Sequence, residues 1–203
     1  MNIHLIAIVG GSGSGKTWLA DRLLEEFGND ARRLSLDDFY RDLSHLTPDE
    51  RVRTNFDHPN AIDWPLFRRS ISSIRRGEAT ESPIYNFSTH MRRTETKTWQ
   101  PCRLVLLDGL WLLRRAELRQ LYSLSVFIEC PESSRLERRV KRDQRERGRS
   151  ARSVRAQFEQ HVAPMHNRFV AGQVQHADFV VESPTSPTRL TELRAHCCQL
   201  LLP

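Results

Sequence analysis

Hydrophobic positions along the chain fall into two alternating rhythms. Ile3 to Val9 is a short continuous apolar run closed by glycines, the pattern of a buried parallel strand. From about Lys16 to Phe27 the rhythm changes to helical spacing, with Trp18, Leu19, Leu23 and Phe27 assigned to one face. Arg33 to Leu36 predicts a second strand, ending at the acidic pair Asp37 and Asp38. Thr47-Pro48-Asp49-Glu50 predicts a helix start, with Thr47 as cap and Pro48 in the first turn. Trp64, Phe67, Ile71 and Ile74 recur every three or four residues and predict another helix. Pro83 to Phe87 and Thr94 to Trp99 are two extended segments around a polar turn. Arg103 to Leu107 and Ser125 to Glu129 are further buried strands. Helices are expected from about Glu132 to Arg145 and from Val154 to Phe169, the second kinked or broken by Pro164. Asp178 to Val181 and Pro187 to Leu202 complete the set as a strand and a closing helix.

Strands alternating with helices predict an α/β fold, a doubly wound parallel sheet flanked by helices. The 203 residues suit a single domain over 1–203, with no repeat, low-complexity tract or flexible linker. Leu, Ile, Val and Phe make up roughly a quarter of the chain, enough for a core and against wholesale disorder. No apolar run reaches the roughly 18 residues of a membrane span, and Asp108 interrupts the longest. The amino terminus has no basic segment ahead of its apolar stretch, so no secretory signal is expected. Cys102, Cys130, Cys197 and Cys198 show no metal-binding spacing and are expected as reduced thiols in a cytoplasmic protein.

The net charge of +6 is concentrated in one place. Between Arg135 and Arg155 lie ten basic residues and three acids, a local +7 that leaves −1 for the remainder. Such a segment suits a local polyanion site better than a broad nucleic-acid face. It also lacks the interleaved aromatics that base stacking would use, so no nucleic-acid partner is expected.

The chemistry begins at Gly10-Gly11-Ser12-Gly13-Ser14-Gly15-Lys16-Thr17, which fits G-x-x-x-x-G-K-[ST] between a predicted strand and a predicted helix. Glycines let successive backbone N–H groups wrap phosphate oxygens, and the helix N-terminus adds its positive dipole end. Lys16 would reach the β- and γ-phosphates, and Thr17 would ligate Mg²⁺. Asp37, at the carboxyl end of the second predicted strand, faces the ligand crevice of such sheets. There it could orient an acceptor hydroxyl and take its proton, or it and Asp38 could merely cap the next helix. Asp108, ending the Arg103–Leu107 strand, could hold Mg²⁺ with Thr17, or simply close a turn with Gly109. Arg138, Arg139, Arg142, Arg147 and Arg149, with Gly148 among them, could form an arginine clamp that closes on the nucleotide or a solvated basic face.

These segments carry a resemblance. Gly10–Thr17, Leu36-Asp-Asp-Phe-Tyr40, Asn55-Phe-Asp-His-Pro59, Pro83-Ile-Tyr-Asn-Phe-Ser-Thr-His90 and Arg138–Asp143 through Glu146–Arg149 occur in that order. Together they resemble the uridine kinase (uridine–cytidine kinase) and phosphoribulokinase family of P-loop kinases, over about residues 4–182. The resemblance implies a P-loop NTPase-type sheet with a β-hairpin substrate flap at about 80–102 and an arginine-rich helical lid at about 132–152. It implies transfer of the γ-phosphate of ATP (or GTP), with Mg²⁺, to the 5′-hydroxyl of uridine or cytidine. That is a step of pyrimidine salvage giving UMP or CMP.

By the resemblance, Asp37 is the catalytic acid at the 5′-hydroxyl and Tyr40 shares its block. Asp57 binds ribose hydroxyls, Tyr85 and His90 hold the pyrimidine, and Arg139 lies near the ribose. Arg142, Arg147 and Arg149 engage ATP, with Arg142 also serving catalysis, and Gln157 contacts the base. His58 is read as structural, supporting Asp57. Asn86 and Asp108 depart from the usual Asp and Glu of the family and bear on the preferred acceptor more than on the reaction. His90 permits both pyrimidines, since an imidazole can donate to a uracil carbonyl or accept from a cytosine amine. The expected partners are a nucleoside, a nucleoside triphosphate and further copies of the chain in a homo-oligomer. Other small hydroxylated acceptors (ribulose 5-phosphate, pantothenate or nicotinamide riboside) and a nucleotide-binding regulatory or RNA-binding protein are the competing readings.

Overall fold

The computed structural model describes residues 2–202, apart from the side chain of Val52. Strand β1 (His4–Gly10) is buried from Leu5 onward and leads through the glycine loop into helix α1 (Lys16–Phe27). Strand β2 (Ala31–Ser35) ends one residue earlier than the sequence suggests, and Leu36–Phe39 is instead a tight 3₁₀ turn that carries Asp37 and Asp38. Helix α2 (Pro48–Arg53) opens with a reciprocal cap, in which Thr47 Oγ1 accepts from Glu50 N–H and the Glu50 carboxylate accepts from Thr47 N–H. Helix α3 (Trp64–Arg75) buries Trp64, Phe67, Ile71 and Ile74, as its spacing predicts.

Strands β3 (Thr80–Asn86) and β4 (Met91–Trp99) form a separate antiparallel hairpin. Strand β5 (Leu104–Gly109) is buried throughout and runs two residues past the predicted Leu107, so Asp108 belongs to the strand itself. A short helix α4 (Ala116–Arg119) precedes β6 (Leu124–Glu129), and the basic helix α5 (Glu132–Arg147) follows. The predicted Val154–Phe169 helix is three pieces: α6 (Ala151–Gln157), a wide π-helical turn over Phe158–Val162, and α7 (Ala163–Phe169). Pro164 explains the break, because it offers no N–H and crowds the carbonyl four residues earlier. Strand β7 (Phe179–Glu182) and helix α8 (Pro187–Leu200) end the fold.

The main sheet has the order β2-β5-β1-β6-β7, with every neighbouring pair parallel. Alternation along β1 separates two apolar layers. Leu5, Ala7 and Val9 pack with Phe67, Ile71 and Ile74 of α3, while Ile6 and Ile8 pack with Leu19, Ala20 and Leu23 of α1 and Leu193 and Cys197 of α8. Helices therefore cover both faces, which is why the strands read as continuous apolar runs. Trp18 departs from the predicted face: it is 44% exposed while Leu19 and Leu23 are fully buried, and Arg22 stacks on its ring. Among the described residues no helix is long and apolar enough to cross a membrane.

Candidate active site

One cleft of about 1030 Å³ lies at the carboxyl ends of β1, β2 and β5, where open parallel sheets place their ligands. Its lining gathers Ser12, Gly13, Gly15, Lys16 and Thr17 from the glycine loop, Asp37 and Tyr40 from the turn after β2, and Asp57. Tyr85 and His90 of the hairpin, Asp108, and Arg139, Arg142, Arg147, Arg149 and Gln157 complete it. Gly10, Gly11 and Ser14 belong to the same loop but sit behind this surface. A side chain at Gly13 is excluded twice, by its φ of +80° and by the Arg135 carbonyl, which would lie 2.4 Å from a Cβ.

Lys16 Nζ donates to the carbonyls of Gly10 and Gly11 at 3.0 and 2.9 Å, which folds its stem along the loop. Burial lowers its pKa to about 8, a shift opposed by the carboxylates of Asp37 and Asp108. Asp37 shows the complementary effect: burial pushes its carboxyl up and the Lys16 ammonium pulls it down. The two acids of the turn divide the work. Asp38 accepts a hydrogen bond from the Tyr85 N–H and so ties the turn to the hairpin, and burial raises its pKa to about 6. Asp37 Oδ1 is buried and has no hydrogen-bond partner among the described residues. Asp37 itself lines the cleft.

The acceptor end is an aromatic wall. The His90 ring stacks on Phe56 at 4.6 Å, and Phe56 and Tyr40 both pack against Tyr85. His90 holds a left-handed backbone (φ 55°), and burial together with Arg147 and Arg149 lowers its pKa, favouring the neutral ring. The Tyr85 hydroxyl is buried without a partner among the described residues, whereas the Tyr40 hydroxyl donates to the Phe56 carbonyl at 3.1 Å. Tyr40 therefore positions Phe56. Asp57 is 8% exposed and lies 3.7 Å from Arg139, whose guanidinium also donates to Ser12 Oγ at 2.9 Å and to Gln157 Oε1 at 3.0 Å. One arginine thus spans the phosphate loop, the Asp57 carboxylate and helix α6.

His58 is structural, as expected, and acts on the turn that follows it. His58 Nδ1 accepts from Asn60 N–H to cap the following turn, and its ring packs edge-on against Phe169. Asn86 is likewise structural. Its side chain accepts from Ser88 and Thr89 N–H at 2.9 and 3.2 Å, closing the hairpin turn outside the cleft lining.

Asp143 is a residue that sequence reasoning missed. It is fully buried, and Arg139, Arg142, Arg147 and Arg149 converge on its carboxylate at 3.8, 2.8, 3.6 and 3.5 Å. An aspartate with arginines at −4, −1, +4 and +6 was the available signal, but counting it as one charge of thirteen concealed its position. Nor is the basic segment a solvated face. Arg135 is 3% exposed beneath the loop, and Arg138 donates to Ser183 Oγ at 2.7 Å and to the Gly13 and Ser14 carbonyls. Gly148, left-handed at φ 62°, ends α5 and turns the chain so that Arg149 returns to Asp143.

The residues present fit a divalent cation through hard oxygens. Thr17 Oγ1 and both Asp108 carboxylate oxygens lie together around the Arg33 guanidinium, which they engage, and are donors of the type such an ion takes. Among the described residues no cluster of three His, Cys, Asp or Glu side chains could hold an ion unaided. An ion here would therefore depend on nucleotide phosphate oxygens for the rest of its shell.

The family model described as "Phosphoribulokinase / Uridine kinase family" matches residues 5–192, which takes in every element lining the cleft. The chain belongs to the phosphoribulokinase/uridine kinase family. It is 40% identical over 182 residues to proteins named uridine kinase from Salmonella paratyphi B and Salmonella typhimurium, covering 87% of this chain and 85% of each relative. Among solved structures, phosphoribulokinase from Rhodobacter spheroides superposes with a TM-score of 0.66 at 14% identity, over 89% of this chain and 70% of that one. D-glycerate 3-kinase from Cryptococcus neoformans var. grubii gives 0.63 at 17% identity, over 91% and 88%. At those identities the phosphoribulokinase/uridine kinase family member shares a fold with both, and the acceptor must be argued from its own residues.

Proposed function

We propose that this family member transfers the γ-phosphate of ATP to the 5′-hydroxyl of uridine and cytidine, giving UMP or CMP. The observation that carries the reading is that one cleft joins the phosphate loop to an aromatic wall through Asp37. Its volume is at the top of the roughly 300–1,000 Å³ range of single small-ligand sites, as suits a nucleotide and a nucleoside bound together. The 40% identity to proteins named uridine kinase supports the same acceptor class.

In the proposed reaction the 5′-oxygen forms a bond to the γ-phosphorus while the bond to the β,γ-bridging oxygen breaks, releasing ADP. Asp37, which lines the cleft, orients the hydroxyl and accepts its proton. Lys16, Arg142, Arg147 and Arg149 neutralise the charge spread over the phosphate oxygens. Thr17 and Asp108 would hold Mg²⁺, which would supply further neutralisation of the phosphate charge. Asp57, braced by Arg139, takes the ribose hydroxyls. Phe56 and Tyr85 pack against the pyrimidine, and the neutral His90 ring, itself stacked on Phe56, donates or accepts at the edge of the base according to tautomer. Gln157 accepts from Arg139 and Arg149 and so holds the two arginines, and in this reading it also contacts the base.

The test is ADP release with Mg-ATP against uridine, cytidine, adenosine, nicotinamide riboside, pantothenate and ribulose 5-phosphate. Turnover with uridine and cytidine alone is the expected result. Turnover only with one of the other acceptors would discard the pocket assignment, and ATP binding without any turnover would favour a regulatory or RNA-binding role.

A further inference from the structure

A second cation already stands where the divalent ion is expected. The register pairs Arg33 of β2 with Leu106 and Ser35 with Asp108 of β5, so Arg33 and Asp108 share the sheet face covered by α1. From there the Arg33 guanidinium takes Asp108 in a two-point grip, Nε to Oδ1 at 2.8 Å and a terminal nitrogen to Oδ2 at 3.1 Å. That same terminal nitrogen donates to Thr17 Oγ1 at 3.3 Å. All three hard oxygens assigned to the metal are therefore engaged by one side chain. Its remaining terminal nitrogen lies 3.7 Å from Asp21 Oδ1 on α1, one helical turn beyond Thr17, and Asp21 is half exposed where Asp108 is 5% exposed.

We propose that Arg33 is an internal competitor for the metal position, neutralising Asp108 and Thr17 in the unloaded protein and shifting to Asp21 when the metal–nucleotide complex enters. A guanidinium and a divalent ion repel each other, and the two-point grip holds the guanidinium against the same oxygens that a metal at this place would take. Charge-assisted two-point pairs are among the stronger hydrogen-bonded contacts, so the exchange costs affinity for the metal. Asp21 lowers that cost by keeping the displaced guanidinium paired. Arg33 thus sets how much divalent ion the protein requires, without itself being a ligand. The inference rests on the assignment of Thr17 and Asp108 to the metal, and the experiment separates the two.

The experiment is a titration with Mn²⁺ as probe, followed by the electron paramagnetic resonance signal of the free ion. The full chain is used with the non-hydrolysable β,γ-imido analogue of ATP and no nucleoside, so the readout is metal affinity rather than turnover. Arg33→Leu is expected to bind Mn²⁺ about tenfold more tightly, the scale of one charged hydrogen-bonded pair removed. Arg33→Lys, which keeps the charge and loses the two-point geometry, should fall between the two. Asp21→Asn, which removes the alternative resting place, should weaken Mn²⁺ binding several-fold. Unchanged or weaker Mn²⁺ binding in folded Arg33→Leu overturns the proposal. If Arg33→Leu does not fold by circular dichroism, Asp21→Asn decides: weaker binding supports the exchange, and unchanged or tighter binding overturns it. Asp108→Asn separates the underlying assignment. If it leaves Mn²⁺ affinity unchanged, the metal assignment and the exchange both fall. If it weakens affinity while Arg33→Leu changes nothing, only the exchange falls.

Discussion

At the phosphate end of the cleft, one unbroken stretch from Gly10 to Thr17 supplies the loop, the lysine and the hydroxyl. At the acceptor end, Asp57, the Tyr85–His90 block and Arg139 come from three separate segments, and the ring that joins Tyr85 to His90, Phe56, carries no recognisable chemistry of its own. Phosphate recognition rests on backbone N–H groups whose placement follows from local φ values, so a short motif suffices. Recognition of a flat ring rests on packed side chains, whose placement depends on how the hairpin and the turn after β2 settle against each other. Asp38 makes that junction by accepting from the Tyr85 N–H. The first region tolerates little change in sequence, and the second little change in packing.

Breaking the link between the two ends gives the largest expected effect. Asp37→Ala should lower turnover by about a thousandfold, within the range for loss of a positioned general base. ATP affinity by calorimetry should stay within about threefold, because the phosphate loop is untouched. Near-normal turnover would remove Asp37 from the reaction.

Asp143→Ala comes next, because it leaves four guanidiniums without their shared buried carboxylate. A loss of about 3 kcal/mol is expected in urea unfolding, the usual scale for removing one partner of a buried ion pair. The Michaelis constant for ATP should rise as well, since Arg142, Arg147 and Arg149 lose their anchor. A variant as stable as the parent would mean that the arginines repack without it.

The phosphate end is sharpened by pH. With Lys16 lowered to about 8 by burial, the free protein loses that proton above pH 8, whereas bound phosphates favour its retention. Nucleotide binding must then take up a proton, so ATP affinity should fall about tenfold between pH 7 and pH 9. Lys16→Arg should flatten the profile. An unchanged slope in that variant would assign the effect to another group.

The acceptor end is sharpened by smaller changes. His90→Tyr keeps a stacking ring but loses the two tautomers, and should shift the uridine-to-cytidine ratio of kcat/KM several-fold. An unchanged ratio would leave His90 as a packing residue on Phe56. Asn86→Asp restores the usual family residue yet should change that ratio least of all, because Oδ1 caps a turn in either case. A large shift would return Asn86 to the acceptor pocket.

The sequence by itself determined the alternation of elements, the phosphate loop and the cluster of positive charge. Each is written in neighbouring residues: strand and helix periods within a few turns, glycines where the backbone needs them, arginines along one helix. Tertiary structure decided what those charges face. The acid that gathers the arginines, the arginine that takes Asp108 from a neighbouring strand, and the aromatic wall built on Phe56 all depend on contacts between residues far apart in the chain. It also decided the end of β2, where one or two residues of local preference yield to burial of the rest, whereas the break near Pro164 was already written in the sequence. Side chains of the same type were assigned apart, as with Asp37 and Asp38, because burial and pairing differ over a few ångströms, a distance that the order of residues does not encode.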